Sequence, residues 1–162
     1  MIRMLKEFLN LEALLTVYHA HIRSHPAYGI ILWGNHPCVS KLLVLEKRCI
    51  RLMCGAHFRT HCKPLFVRLG VLTLPAMYVL DCLLYVKKNI QTTISHASVH
   101  TYSTRNNSNI CLPKCKYTLT QRNFDYISKK LYNSLTLQIM QYKKTIQTHL
   151  IANPLYTVQE AT

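Results

Sequence analysis

Apolar residues recur at helical spacing along most of this chain, and the breaks between runs carry glycine, proline or asparagine. Residues 1–24 read as a helix with apolar positions Leu5, Phe8, Leu9, Leu15, Val17, Tyr18 and Ile22, broken near Asn10. His25-Pro26 interrupts it, because the residue before a proline is pushed out of the helical region. Pro26 itself suits the first turn of a new helix, where its missing N–H is no loss. A compact apolar turn, Tyr28-Gly29-Ile30-Ile31-Leu32-Trp33-Gly34, follows, with Gly34 placed as a left-handed helix stop. Asn35-His36-Pro37 is then a loop.

The next run is the clearest amphipathic helix of the chain, residues 41–54, with Ser40 as its N-cap and Gly55 just beyond its end. Leu42, Leu45, Cys49, Leu52 and Met53 are expected to share its apolar face. Lys41, Lys47, Arg48 and Arg51 fall on the opposite side, with Val44 among them. A short loop, 56–63, leads to a two-turn helix opened by Pro64 and closed by Gly70. Residues 75–89 form the most apolar helix, opened by Pro75. A helix apolar nearly all round is a central one, with Asp81 and Lys88 on a narrow solvent-facing stripe.

Between 91 and 118 the pattern lapses into Thr, Ser, Asn and His, read as a long polar connection. Two helices follow, about 122–134 and 137–151. The second carries Ile139, Tyr142, Ile146 and Leu150 on one stripe and Gln138, Gln141, Lys144 and Thr148 on the other; Asn153-Pro154 ends it. The expected fold is all-α, an irregular assembly of about six helices with a polar connection between two parts. Its organisation is a helical region 1–90, the linker 91–118, a helical pair 119–152 and a tail 153–162.

At 162 residues and 49% hydrophobic content the chain can bury a real core. Charge changes the picture more. Twenty Lys and Arg against six Asp and Glu give a net +14, an excess that favours polyanionic partners, either nucleic acid or anionic lipid. Seven cysteines cannot all pair, and Glu7, Asn10 and Glu12 interrupt what would be a signal-peptide core. Free thiols in a reducing, intracellular setting, nucleus or cytoplasm, are therefore expected. The apolar window 69–86 contains Gly70, Pro75 and Asp81, so no transmembrane segment is expected.

Candidate chemistry is sparse. Cys54, His57, His61 and Cys62 have the ligand types of tetrahedral zinc, but not two well-separated ligand pairs. Buried cysteines and loop histidines are the preferred reading, and Cys111-x-x-x-Cys115 has no second pair close by. The carboxylates Glu7, Glu12, Glu46, Asp81, Asp125 and Glu160 form no motif for two-metal nucleotidyl transfer. No phosphate-binding GxxxxGK[ST] loop and no GxSxG elbow occur, and no cofactor is expected. What remains is the basic face Lys41, Lys47, Arg48 and Arg51, able to neutralise backbone phosphates of RNA or DNA without reading sequence. Tyr102 with Arg105, and Lys114 and Lys116 with Tyr117, offer weaker candidates for stacking on a single strand.

Several stretches in order carry a family resemblance: YGIILWG, a helix ending KRCIR, HCKPLF, LGVLTLP, YVLDCLLYVKKN, YSTRN, KLYNSL and LYTVQEA. Their order and spacing resemble the C-terminal region of insect jockey-like, LINE-type non-LTR retrotransposon reverse transcriptases, over about residues 12–160. Thr136 departs from the pattern, standing where a proline commonly follows the Asn-x-Leu segment. The resemblance implies that 1–90 is thumb-like and that the parent's polymerase domain lies upstream. By that resemblance the chain looks like a truncated element copy, or a gene model drawn over one, without the Phe-x-Asp-Asp motif or the endonuclease. The implied function is that of a non-catalytic fragment of an RNA-directed DNA polymerase, retaining at most sequence-independent nucleic-acid contact. The alternative is a helical scaffold, or a protein of anionic membrane surfaces, without nucleic-acid contact.

Overall fold

The computed structural model describes residues 1–99, Tyr102, Arg105, 107–134 and 143–161. Among these the fold is all-α. Helices of seven or more residues are α2 (Leu11–Val17), α5 (Val39–Cys54), α6 (Lys63–Leu69), α7 (Leu74–Lys88), α10 (Phe124–Ser134) and α11 (Lys143–Ala152). Shorter ones are α1 (Ile2–Leu5), α3 (Ser24–Ala27), α4 (Ile30–Trp33), α8 (His96–Val99) and α9 (Thr118–Gln121). Residues 135–142, including Ile139, Tyr142, Gln138, Gln141 and Thr136, lie outside the described residues.

The break near Asn10 is a helix start: Asn10 Oδ1 accepts the Ala13 N–H at 2.9 Å, the usual N-cap bond. The break expected at His25-Pro26 does not occur, and helical structure runs on to Ala27. Tyr18–Arg23 widens into a π turn just before Pro26, which removes one helical N–H. The Ser24 hydroxyl donates to the Ala20 carbonyl at 2.6 Å within this turn. The chain reverses instead at Tyr28-Gly29, where Gly29 is left-handed at φ 62°.

Gly34 is not the left-handed stop expected of it, since its φ is −64°. Its lack of a side chain serves close approach. A Cβ there would run into Cδ2 of Tyr78 and lie 2.6 Å from the Ile30 carbonyl oxygen. Gly55 and Gly70 are left-handed at φ 67° and 64°, closing α5 and α6. Around Gly70 an added Cβ meets nothing within 4 Å, so only backbone strain opposes it. Gly70→Ala is expected to cost about 1 kcal/mol, read as a shift in the urea midpoint at unchanged slope.

α7 is the central helix, and its first seven residues are all buried. Thr73 caps it, with Oγ1 accepting from the Ala76 N–H at 3.4 Å and donating to the Leu155 carbonyl at 2.5 Å. α10 and α11 pack along it, contributing Ile127, Leu131, Ile146 and Leu150 to one apolar core with Ile30, Val39 and Leu155. A second core gathers Ile2, Leu14, Tyr18, Ile50, Met53, Cys62, Phe66 and Val71 from α1, the 11–23 helix, α5 and α6. α5 therefore supplies both cores, Val39 to the first and Ile50 and Met53 to the second.

Among the described residues no single helix is long and apolar enough to cross a membrane. α6 and α7 together have the length and composition, but they bend 58° at the intervening break.

Candidate nucleic-acid interface

The face that α5 buries differs from the one expected. Val39, Leu43, Glu46, Ile50 and Met53 point inward, while Leu42 and Leu45 are exposed. The true stripe is displaced by roughly a quarter turn from the 42/45/49/52/53 set. The helix also starts earlier than expected, at Val39. Ser40 is inside it, donating to the Pro37 carbonyl at 2.8 Å, and caps nothing.

Glu46 on the buried stripe was legible in the sequence only as an unmotivated carboxylate. It is 6% exposed. The Tyr18 hydroxyl donates to its Oε1 at 2.8 Å, and the Leu74 N–H, at the start of α7, donates to its Oε2 at 3.2 Å. Burial pushes the carboxyl up to about 7, against the pull of those two hydrogen bonds and of the Arg23 charge. Arg23, lowered by its own burial, donates to the Leu72 carbonyl at 3.3 Å. Glu46 thus ties the 18–23 turn, α5 and the positive end of α7 together.

The four candidate cations do not act alike. Lys41 and Arg48 are exposed and have no partner among the described residues. Arg51 is half-buried, its Nε donating to the Thr60 carbonyl at 2.8 Å, so it fastens the 56–62 loop. Lys47 lies over the Tyr156 ring, Nζ 3.4 Å from the centroid, and its pKa is lowered first by burial. Lys63 reaches the same ring at 5.0 Å and pairs with Glu160 at 3.7 Å, while His61 flanks it with ring centroids 6.2 Å apart. Tyr156 thereby anchors the tail to α5 and α6 through cation–π contacts. No local pattern could have paired Lys47 with a tyrosine so far along the chain.

Lys41 occupies the first turn of α5, where a cation opposes the helix dipole and no acidic residue offsets it. The fold gains nothing from its charge there. Leu45, on the same outer side as Lys41 and Arg48, is 53% exposed, and Val44 is also exposed, so the cations border an open apolar strip. In the polar connection, Tyr102 and Arg105 are exposed, as are Lys114, Lys116 and Tyr117. These rings are open to solvent and free to stack.

The four residues considered for zinc do not converge. Among the described residues no group of three or more His, Cys, Asp or Glu is placed to hold a metal. Cys62 is buried with Sγ 3.8 Å from the Lys47 and Thr60 carbonyls, and the His57 ring packs on Phe58. In comparisons with known proteins, no family model, no curated protein and no solved structure matches this chain.

Proposed function

We propose that this chain is a non-catalytic helical unit that holds the phosphate backbone of RNA or DNA without reading its sequence. The observation that carries the proposal is the pair of exposed cations Lys41 and Arg48, without a partner among the described residues, on a chain of net charge +14. Lys47 and Arg51 secure the helix and its neighbours so that this face is presented rigidly. The exposed Tyr102 and Tyr117 supplement it with stacking surfaces. The ordered stretches resembling the C-terminal region of a non-LTR retrotransposon reverse transcriptase favour the same reading. On it the chain corresponds to the C-terminal region of such a polymerase, and the exposed apolar side chains Tyr28, Leu32, Leu42 and Leu45 are available for contact with a further partner.

A second reading rests on a specific observation, the exposed leucines beside Lys41 and Arg48. A cationic, apolar strip of this kind also suits an anionic membrane surface. Filter binding of an RNA hairpin and of a DNA duplex, set beside co-sedimentation with phosphatidylserine vesicles, separates the two. Nucleic-acid affinity that falls linearly on a log scale with added salt is expected. Vesicle binding without nucleic-acid binding would replace the first reading with the second.

A further inference from the structure

The polar connection contains a thiol–imidazole pair. Sγ of Cys111 lies 3.5 Å from Nδ1 of His96. The two residues are held together by a short antiparallel contact: Ser95 bridges Ile110, the Cys111 N–H donates to the Ile94 carbonyl at 3.0 Å, and the His96 N–H donates to the Asn109 carbonyl at 3.0 Å. That contact is in turn clamped to α10. The Asn133 side chain accepts from the Ile110 N–H at 3.0 Å and donates to the Ile110 carbonyl at 2.9 Å. The polar segment is thus fastened where it sets a thiol against a ring nitrogen.

Cys111 also lines a cavity of about 500 Å³ between α7, α10 and the connection, with Tyr85, Ile94, Pro113 and the Asp125–Lys129 ion pair among its other walls. Its size is that of a small-molecule site. The thiolate is the nucleophile of cysteine chemistry, and partly exposed thiols beside a histidine are the reactive ones. Cys111 is half-buried and free; of the other free cysteines Cys62 and Cys82 are buried, and Cys38 is the exposed one.

We propose that Cys111 is a modification site that forms mixed disulfides with small disulfide compounds entering this cavity, with His96 as its proton acceptor. His96 Nδ1 takes the thiol proton and the Cys111 sulfur attacks one sulfur of the incoming disulfide. The S–S bond of that compound breaks, and the departing thiolate leaves as a thiol after taking the proton back. One disulfide is consumed and one mixed disulfide plus one thiol are formed, so no further oxidant is required.

The test is glutathione disulfide added to the full chain, with peptide mass spectrometry following each cysteine over time. Cys111 is expected to react roughly tenfold faster than Cys38 despite the greater exposure of Cys38. His96→Gln should slow Cys111 by a comparable factor and leave Cys38 and Cys115 unchanged, which also reports that the fold persists. Reaction of Cys38 at the rate of Cys111 or faster in the unsubstituted chain would overturn the proposal, whatever the variant does. An unchanged Cys111 rate in a folded His96→Gln chain would overturn it as well.

Discussion

Gly34→Ala is expected to destabilise the protein by about 3 kcal/mol, the upper end of what overpacking costs in a filled core. The new methyl group has nowhere to go. It would collide with Cδ2 of Tyr78, sit 2.9 Å from Cγ of the same ring and 2.6 Å from the Ile30 carbonyl oxygen. The ring cannot swing aside, because Tyr78 is 1% exposed and surrounded by the α7 core. The carbonyl is held by the Gly34 N–H at 2.7 Å. Both neighbours lie where α4 crosses α7, so relief requires moving one helix off the other. Urea unfolding followed by far-UV circular dichroism reads the loss directly. A change under about 0.5 kcal/mol, the scale of an ordinary surface substitution, would mean that α4 does not pack against α7 as described.

Glu46 gives the second large effect, and its sign is set by burial. Its carboxyl titrates near 7 in the folded protein against an ordinary value of 4.5. The folded state therefore holds a proton that the unfolded state has released between those pH values. Stability from this group is full below about 4.5 and is lost as pH rises through 7. A displacement of this size corresponds to roughly 3 kcal/mol between the two ends of the window. Asp81, raised by partial burial, acts in the same direction, whereas His19, lowered by burial and by Arg23, acts in the opposite one. The difference between the original chain and Glu46→Gln removes both. Glu46→Gln should be the flatter of the two from pH 5 to 8 and should gain relative stability at pH 8. Parallel pH profiles would show that the carboxyl is not buried as described. Glu46→Ala is expected to lose stability throughout, because the Tyr18 hydroxyl and the Leu74 N–H are then left without an acceptor.

These two residues also mark what the sequence could and could not disclose. The stops at Gly55 and Gly70 were legible because they depend on local backbone alone: a helical run ends, and only glycine takes the left-handed step at no cost. Gly34 looks the same in sequence, but its reason is Tyr78, on another helix. The all-α class and the central place of α7 followed from its nearly unbroken apolar surface. The buried face of α5 did not, because apolar residues cover so much of that helix that two stripes compete. The winning stripe, Val39, Leu43, Glu46, Ile50 and Met53, keeps the regular spacing of a buried seam but contains a carboxylate. A charged residue on such a stripe is itself a signal, since burial demands distant partners; here they are Tyr18 and Leu74.

The same limit applies to the candidate interface. Four cations on one side of α5 were legible as a set, yet the roles within the set depend on chain that arrives from elsewhere. Lys47 is claimed by Tyr156 of the tail and Arg51 by Thr60 of the following loop, which leaves Lys41 and Arg48. The Pro26 region shows a further physical cause. A proline predicts a break, but the π turn at Tyr18–Arg23 lets the helix continue past it.

The central claim, phosphate contact through Lys41 and Arg48, is tested most directly by the salt dependence of duplex DNA binding for the original chain and for Lys41→Ala/Arg48→Ala. The variant should keep its urea midpoint, since neither side chain has a partner among the described residues. Its plot of log affinity against log salt should be shallower by about 1.8, or ~0.9 for each lost phosphate contact. An unchanged slope in a folded variant, or binding by the original chain that does not weaken with salt, would contradict the claim.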